Sequence, residues 1–421
     1  MKKAGYAIYA LIYNFASLFG QASNRVFFVA THNSSETGNC GAVINELEKS
    51  GGYKIFKMTK EDENFKNPLK LLKFMFVLPF KMAGCSTIFY DKTFLPLAYF
   101  KSRKKVKHCM LWHGTGAIKK FGLDSTKGSL RKLETLANSK LDYLFVSSKG
   151  LIPLHKTAFG IEENKIFVTG LPRTDCLFSF KEAFKENEKI KPRTEECIKV
   201  LYAPTFRESK EGNEKLLEKA VELYEKIAEG MSENISERAF ENITEGKSEN
   251  IVEGVSEDIV EGTSDKTAVK KTVKKVKFMV RLHPAINAKY ADFFNNMSPD
   301  KSVSDLVFED ASAKDLNEVL KETDILITDY SSIFFDFAIL NRTMFFYPFD
   351  LDFFTEKERG FYFDYKNFVP GEVLIDPDSI ADYIISHSEN QNAKISDFMS
   401  FAYKYQDSAS AKRVVNLVFG E

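Results

Sequence analysis

The chain has 421 residues, 44% of them hydrophobic and 39 of them Phe, with 59 Lys+Arg against 59 Asp+Glu. That length exceeds what one ordinary core holds and points to two domains. A charged fraction of 28% with a balanced total excludes an extended disordered chain and a uniformly basic nucleic-acid binder. The balance hides an asymmetry: residues 1–150 carry 24 Lys+Arg and 10 Asp+Glu, so the first half either faces a polyanion or an anionic membrane surface, or simply solvates its lysines. The five cysteines, Cys40, Cys85, Cys109, Cys176 and Cys197, form no Cys-x-x-Cys pair. This argues against a disulfide framework or a zinc site and fits a reducing cytoplasm.

Residues 1–20 begin with Lys2 and Lys3 and continue as an apolar run interrupted by Tyr6, Tyr9, Tyr13, Asn14 and Ser17. The run is too short and polar to span a bilayer and lacks a small-residue cleavage site. An amphipathic helix on a surface and a buried first helix both fit it. Strands are expected at 25–31 (RVFFVAT) and 53–58. Residues 66–82 (KNPLKLLKFMFVLPFKM) read either as a second membrane-surface segment or as a core helix whose lysines reach past its edge. Further strands at 86–90, 108–112, 143–147 and 165–169, with helices between them, predict a parallel sheet covered by helices.

This first domain takes in residues 1–180, and a charged linker with Pro192 covers 181–198. A second run of strands at 199–203, 277–282, 306–309, 324–328, 343–347 and 372–375 predicts a second domain of the same α/β architecture over 199–396. A terminal helix follows at 397–421. Residues 214–228 have helical spacing. Residues 230–268 repeat a short acidic unit every eight positions. Each unit has one large apolar residue, and Gly230, Gly246, Gly254 and Gly262 oppose a helix. The segment reads as a weakly ordered acidic insert, with a β-solenoid as the alternative.

Four strand ends carry the chemistry. MLWHGTGAIKKFG (110–122) delivers His113 between an apolar strand and two glycines, where open α/β sheets place their sites. An imidazole there suits a general base at neutral pH; a plain turn histidine is the other reading. VLYAPTFR (200–207) ends in Thr205 and Arg207, groups suited to a phosphate. FMVRLHP (278–284) puts Arg281 and His283 on one side of an extended segment, for an anion or for a structural salt bridge. DILITDYSSIFFDFAIL (324–340) runs a strand into a buried helix. Ser331 or Ser332 is its expected cap, its free N–H groups offer a phosphate seat, and Asp336 is expected one turn on, facing the same ligand. No metal-ligand spacing, P-loop or Gly-x-Gly-x-x-Gly is present in the sequence.

In order along residues 85–375, these segments, with Gly170-Leu171-Pro172-Arg173 and RGFYFD (359–364), resemble the CDP-glycerol glycerophosphotransferases that build teichoic acids. The resemblance implies a GT-B fold: two Rossmann-like domains with the site in the cleft between them. It implies His113 as base on the acceptor hydroxyl and His283, with Arg281, at the donor pyrophosphate. Gly114, Thr115, Arg173, Pro204, Thr205, Arg207, Leu282, Ser331, Ser332 and Asp336 fall on positions that bind the CDP-polyol. The implied reaction passes glycerol phosphate, or a related polyol phosphate, from CDP-glycerol to a lipid-linked acceptor and releases CMP. It needs no cofactor, metal or nucleic acid, and runs at the inner face of the membrane. A GT-B nucleotide-sugar glycosyltransferase or epimerase, or a non-catalytic CDP-polyol-binding subunit, are the alternatives. The family commonly has Pro after His-Gly-Thr where this chain has Gly116, which is expected to loosen the acceptor loop; Phe206 stands where Trp is frequent.

Overall fold

The structure is a computed structural model that describes residues 2–32, 37–103, 105–188, 197–244, 275–283, 305–386 and 393–420. Among the described residues, two six-stranded sheets form, both parallel throughout. In the first, β1 (Ala22–Ala30), β2 (Lys54–Thr59), β3 (Cys85–Tyr90), β4 (Lys107–Met110), β5 (Tyr143–Val146) and β6 (Ile166–Val168) lie in the order β2-β1-β3-β4-β5-β6. In the second, β7 (Ile198–Ala203), β8 (Val276–Val280), β9 (Leu306–Asp310), β10 (Ile325–Thr328), β11 (Thr343–Phe346) and β12 (Glu372–Val373) lie in the order β12-β11-β10-β7-β8-β9. Every strand expected from the sequence is present, within a few residues of its expected bounds. Both sheets are buried on two faces, which is why their strands read as near-continuous apolar runs.

Strand order places the site. The order of strand addition reverses between β1 and β3 in the first sheet and between β7 and β10 in the second, and ligands of open α/β sheets bind beyond the carboxyl ends at such points. Those ends deliver His32, Asp91, Thr205 and Asp329. The two sheets face each other across a cleft of about 830 Å³ lined by residues of both, including His113, Lys119, Ser332 and Arg359. This is the GT-B arrangement.

The C-terminal region is not a single helix at 397–421. It is two helices that cross between the domains. Ala393–Ala402 packs on the helix Ile333–Ala338, with Phe398 and Phe335 4.9 Å apart, and Tyr403 donates to the Phe335 carbonyl at 2.8 Å. Ser410–Phe419 then returns to the first sheet, where Val414, Val415 and Val418 cover Val26 and Phe28. Asp175 accepts from the N–H groups of Ser410 and Ala411 at 3.0 and 2.8 Å and so fixes the start of this helix. A Cβ on Gly170 (φ 81°) would overlap the Ser410 side chain, so the glycine of Gly170-Leu171-Pro172-Arg173 answers to this crossing.

Two expectations about order change. The helix after β7 runs from Lys210 to Thr244, so residues 230–244 continue it rather than begin an insert. Gly230 is tolerated because Ile385 of the helix Pro377–Ser386 packs where a Cβ would sit, and close packing offsets the glycine penalty. The remainder of the octad stretch, 245–268, lies outside the described residues, as do Pro192 and Pro284. The helix Asp175–Glu188 occupies the first part of the expected linker.

Each of the two N-terminal segments has one buried face and one exposed apolar face. In Lys2–Ala16, Tyr9, Ala10, Tyr13 and Ala16 are buried, with Tyr13 stacked on Phe100 at 3.7 Å. Leu11, Phe15, Leu18 and Phe19 are exposed. In 66–82, Phe74, Leu78 and Met82 enter the same core, while Leu69, Leu72, Phe76 and Phe80 stay outside. Leu69 and Phe19 are each 77% exposed, so the outer faces of both segments form an apolar surface set among lysines. Among the described residues, no helix is long and apolar enough to cross a membrane.

Candidate active site

His113 follows β4 and is held from three sides. Its Nδ1 lies 3.2 Å from the Asp91 carbonyl oxygen. A carbonyl only accepts, so Nδ1 carries the proton and Nε2 of the neutral ring is left with a lone pair. His32 stacks on one side at 3.7 Å and Trp112 lies at 3.9 Å. The Asp91 carboxylate accepts from the His32 backbone N–H at 2.8 Å, so one residue after β3 ties the His113 ring and the His32 main chain. Burial pushes the His113 pKa well below 6.5, and the neighbouring His32, Arg173 and Lys92 add to this against the Asp91 bond. His32 is lowered to about 4, again chiefly by burial.

The loop that presents His113 is strained and anchored. Trp112 has φ 57°, and among the described residues only Asn341 shares this among non-glycines. Asn39, at the start of the helix Asn39–Ser50, offsets the strain: its Nδ2 donates to the carbonyls of Trp112 at 3.0 Å and Leu111 at 3.3 Å. Its Oδ1 accepts from the Arg173 N–H at 2.9 Å. Arg173 in turn donates to the His113 carbonyl at 2.6 Å.

Three residues expected at the ligand turn toward one another. Asp336 is buried, pairs with the Arg173 guanidinium and accepts from the Thr115 hydroxyl. This contact joins the domains behind His113, and it withdraws Asp336 from the cleft surface. Gly116 is buried too. A Cβ there would overlap the Phe335 ring, so the loop is packed against the second domain rather than loosened. Gly116→Ala is expected to cost about 1–3 kcal/mol of stability by overpacking, read as a lowered urea midpoint.

The second domain supplies the opposite wall. Ser332 stands at the N-cap of Ile333–Ala338, yet its hydroxyl makes no capping bond, and Ser331 Oγ accepts from Ile333 N–H only at 3.4 Å. The expected cap is therefore weak. A Cβ on Gly114 would lie 3.7 Å from Ser332 Oγ, which measures how near the two walls approach. Thr205 N–H donates to Asp329 at 2.7 Å, and Pro204 is buried beside it. His283 stacks on Phe206 at 5.1 Å, and its pKa is lowered by burial and then by Lys119, Lys60 and Arg359. Arg281 donates to the carbonyls of Ala311 and Lys314 at 2.7 and 2.8 Å, leaving its guanidinium partly occupied. The Leu282 side chain lies in the core and its N–H is taken by Ser312, so it offers no side-chain contact to a ligand.

Arg207 departs furthest from expectation. Its side chain is fully buried and bonds Asp350 through Nε and Nη2 at 2.7 and 2.8 Å, Asp329 at 2.9 Å, and the Thr205 carbonyl. Tyr330, Phe354 and Phe349 enclose it at 5.0 to 5.5 Å. Four of its five N–H donors are spent on the protein, so Arg207 builds the second-domain wall without reaching into the cleft.

Residues 11–420 match the family described as CDP-glycerol:poly(glycerophosphate) glycerophosphotransferase. The teichoic acid ribitol-phosphate polymerase TarL of Staphylococcus aureus (strain NCTC 8325 / PS 47) is 27% identical over 428 aligned positions, covering 98% of this chain and 66% of TarL. The teichoic acid glycerol-phosphate primase of Bacillus subtilis (strain 168) is 29% identical over 362 positions, covering 84% of this chain and 77% of the primase. The chain thus spans about two thirds to three quarters of the length of these relatives. A structure of the wall teichoic acid polymerase TagF superposes with a TM-score of 0.68 at 18% identity, over 99% of this chain and 94% of that one, which establishes a shared fold.

Proposed function

The chain belongs to the CDP-glycerol:poly(glycerophosphate) glycerophosphotransferase family, and from that premise we propose that it transfers a polyol phosphate, with CDP-glycerol as donor, to a hydroxyl of a teichoic-acid-type acceptor. The observation that carries this is the neutral His113, its Nε2 free beside a cleft whose far wall is Ser332. The acceptor hydroxyl loses its proton to Nε2 while its oxygen attacks the β-phosphorus. The bond from that phosphorus to the oxygen bridging the two phosphates breaks, a phosphodiester forms, and CMP leaves with the electron pair. His283 and Arg281 stand on the donor side, where negative charge gathers on the leaving CMP, and Ser331 and Ser332 are the proposed seat of the transferred phosphate. Catalysis of this kind is positioning and charge stabilisation, with no covalent protein intermediate. The test is CMP release from CDP-glycerol and CDP-ribitol with lipid-linked glycan acceptors. No CMP with either donor would sink the reading.

The apolar surface of Lys2–Ala16 and 66–82, with its lysines, supports docking at the anionic inner face of a membrane, where a lipid-linked acceptor resides. Flotation with anionic vesicles is expected to recover the protein, and neutral vesicles to recover much less. Leu69→Glu with Phe76→Glu removes about 1.5–3 kcal/mol of apolar contact per side chain, enough to reduce recovery more than tenfold. Equal recovery from both vesicle types would overturn the electrostatic part of this docking.

A further inference from the structure

Beyond Arg359 at the cleft, the RGFYFD segment makes a regular backbone contact between the domains. Lys119 bridges Phe361 in antiparallel fashion, Lys120 N–H donates to the Gly360 carbonyl at 3.1 Å, and Tyr362 N–H donates to the Ile118 carbonyl at 2.8 Å. Tyr362 OH donates to Asp124 at 2.6 Å and closes the far end. Residues 118–120 of the first domain and 360–362 of the second therefore pair as a short ladder. Successive side chains of such a ladder alternate: Ile118 is buried in the core, while Lys119 is turned into the cleft.

The Lys119 ammonium lands on the donor side. It donates to Thr205 Oγ1 at 3.3 Å, beside the turn where β7 and β10 part. Among the described residues, no carboxylate lies within ion-pairing distance of it. Asp329 is already bonded to Arg207 and to the N–H groups of Thr205 and Tyr330. Arg359, Arg207 and His283 are near enough for their charges to act on it or be acted on by it, with Asp329 and Glu358 opposing. A desolvated cation among other cations is costly unless an anion shares the site. The cleft that takes a nucleoside diphosphate provides that anion.

Resting on the transfer reading above, we infer that Lys119 is a further catalytic residue: its ammonium contacts non-bridging oxygens of the donor's diphosphate, and the ladder with 360–362 carries it there. The contact forms and breaks no covalent bond. It neutralises charge as the acceptor oxygen arrives at phosphorus and CMP departs. Burial, followed by Arg359 and Arg207, lowers the amine to about 8 against the pull of Asp329 and Glu358. A bound diphosphate favours the protonated form, so binding near pH 8 draws a proton from solution.

The experiment uses CDP as probe, with calorimetry at pH 8 in two buffers of different ionisation enthalpy, alongside CMP release from CDP-glycerol. Lys119→Met is expected to weaken CDP binding about tenfold, the scale of one lost charge-assisted hydrogen bond, and to abolish the proton uptake. Lys119→Cys should behave likewise and recover both after aminoethylation with 2-bromoethylamine, while the same treatment leaves wild type unchanged. That recovery, read within one folded protein, separates loss of the amine from misfolding. CDP affinity within twofold of wild type in Lys119→Met, with proton uptake intact, overturns the inference, as does wild type that fails to bind CDP. Wild type that binds CDP through Lys119 but releases no CMP from any CDP-polyol overturns the transfer reading and still supports the contact.

Discussion

His113→Ala is expected to lower CMP release from CDP-glycerol by about 10²–10⁴-fold, the range of a lost general base, with CDP affinity little changed. The split follows from position: His113 stands after β4 in the first domain, while the wall proposed to seat the donor comes from β7 and β10 of the second. The pH profile supplies a second signature. Burial and the nearby His32 hold His113 well below 6.5. A protonated imidazole cannot take the acceptor's proton, so activity fails only as pH falls through that depressed value. The profile should be level from neutrality to well below pH 6.5. An acid limb centred at the ordinary histidine pKa, or a loss under tenfold in His113→Ala, would remove His113 from the role of base.

Arg207→Ala is expected to cost about 3–5 kcal/mol of stability, because it strands the buried Asp329 and the partly buried Asp350 without a counter-charge. Burial alone opposes the guanidinium charge, but Asp329 and Asp350 more than offset it and raise the Arg207 pKa. Arg207→Lys keeps the charge but not the two-pronged geometry and should recover only part of the loss. A urea melt followed by circular dichroism measures this. Activity should fall with stability, since Asp329 also holds the N–H groups of Thr205 and Tyr330 in the wall proposed to seat the donor. Loss of CDP binding with an unchanged melt would instead return Arg207 to the ligand-contacting role read from the sequence.

The contrast between His113 and Arg207 marks where sequence reasoning reached. Strands were legible because runs such as RVFFVAT and DILIT are apolar, β-branched and bounded by polar or turn residues, and their ends pointed to His113, Thr205, His283 and Ser331–Ser332. What stayed hidden was pairing across distance. Thr115 and Asp336 meet over a separation of 221 positions, and nothing local in either motif announces it. Each polar residue at a strand end therefore read as ligand-facing, although several satisfy one another. Asn39 was missed for the same reason, since its partners are backbone groups after β4 and near Arg173. Lys119 lay inside a motif already singled out, but its value depends on a ladder with 360–362 that no single-segment pattern displays. Residues 230–244 failed differently: the glycine count argued against a helix, and the packing of Ile385 on Gly230 overrode it.

The return of Ser410–Phe419 to the first sheet also constrains the order in which the molecule can be made. Val26 and Phe28 lie under Val414, Val415 and Val418, and the Asp175–Ser410 contact closes a separation of 235 positions. During synthesis the first domain emerges early, but one face of its sheet is covered only in part, by the helix Asn39–Ser50, until the second domain has left the ribosome. Contacts this distant form late and slowly. The first domain must therefore wait as an incomplete intermediate with part of its apolar face exposed.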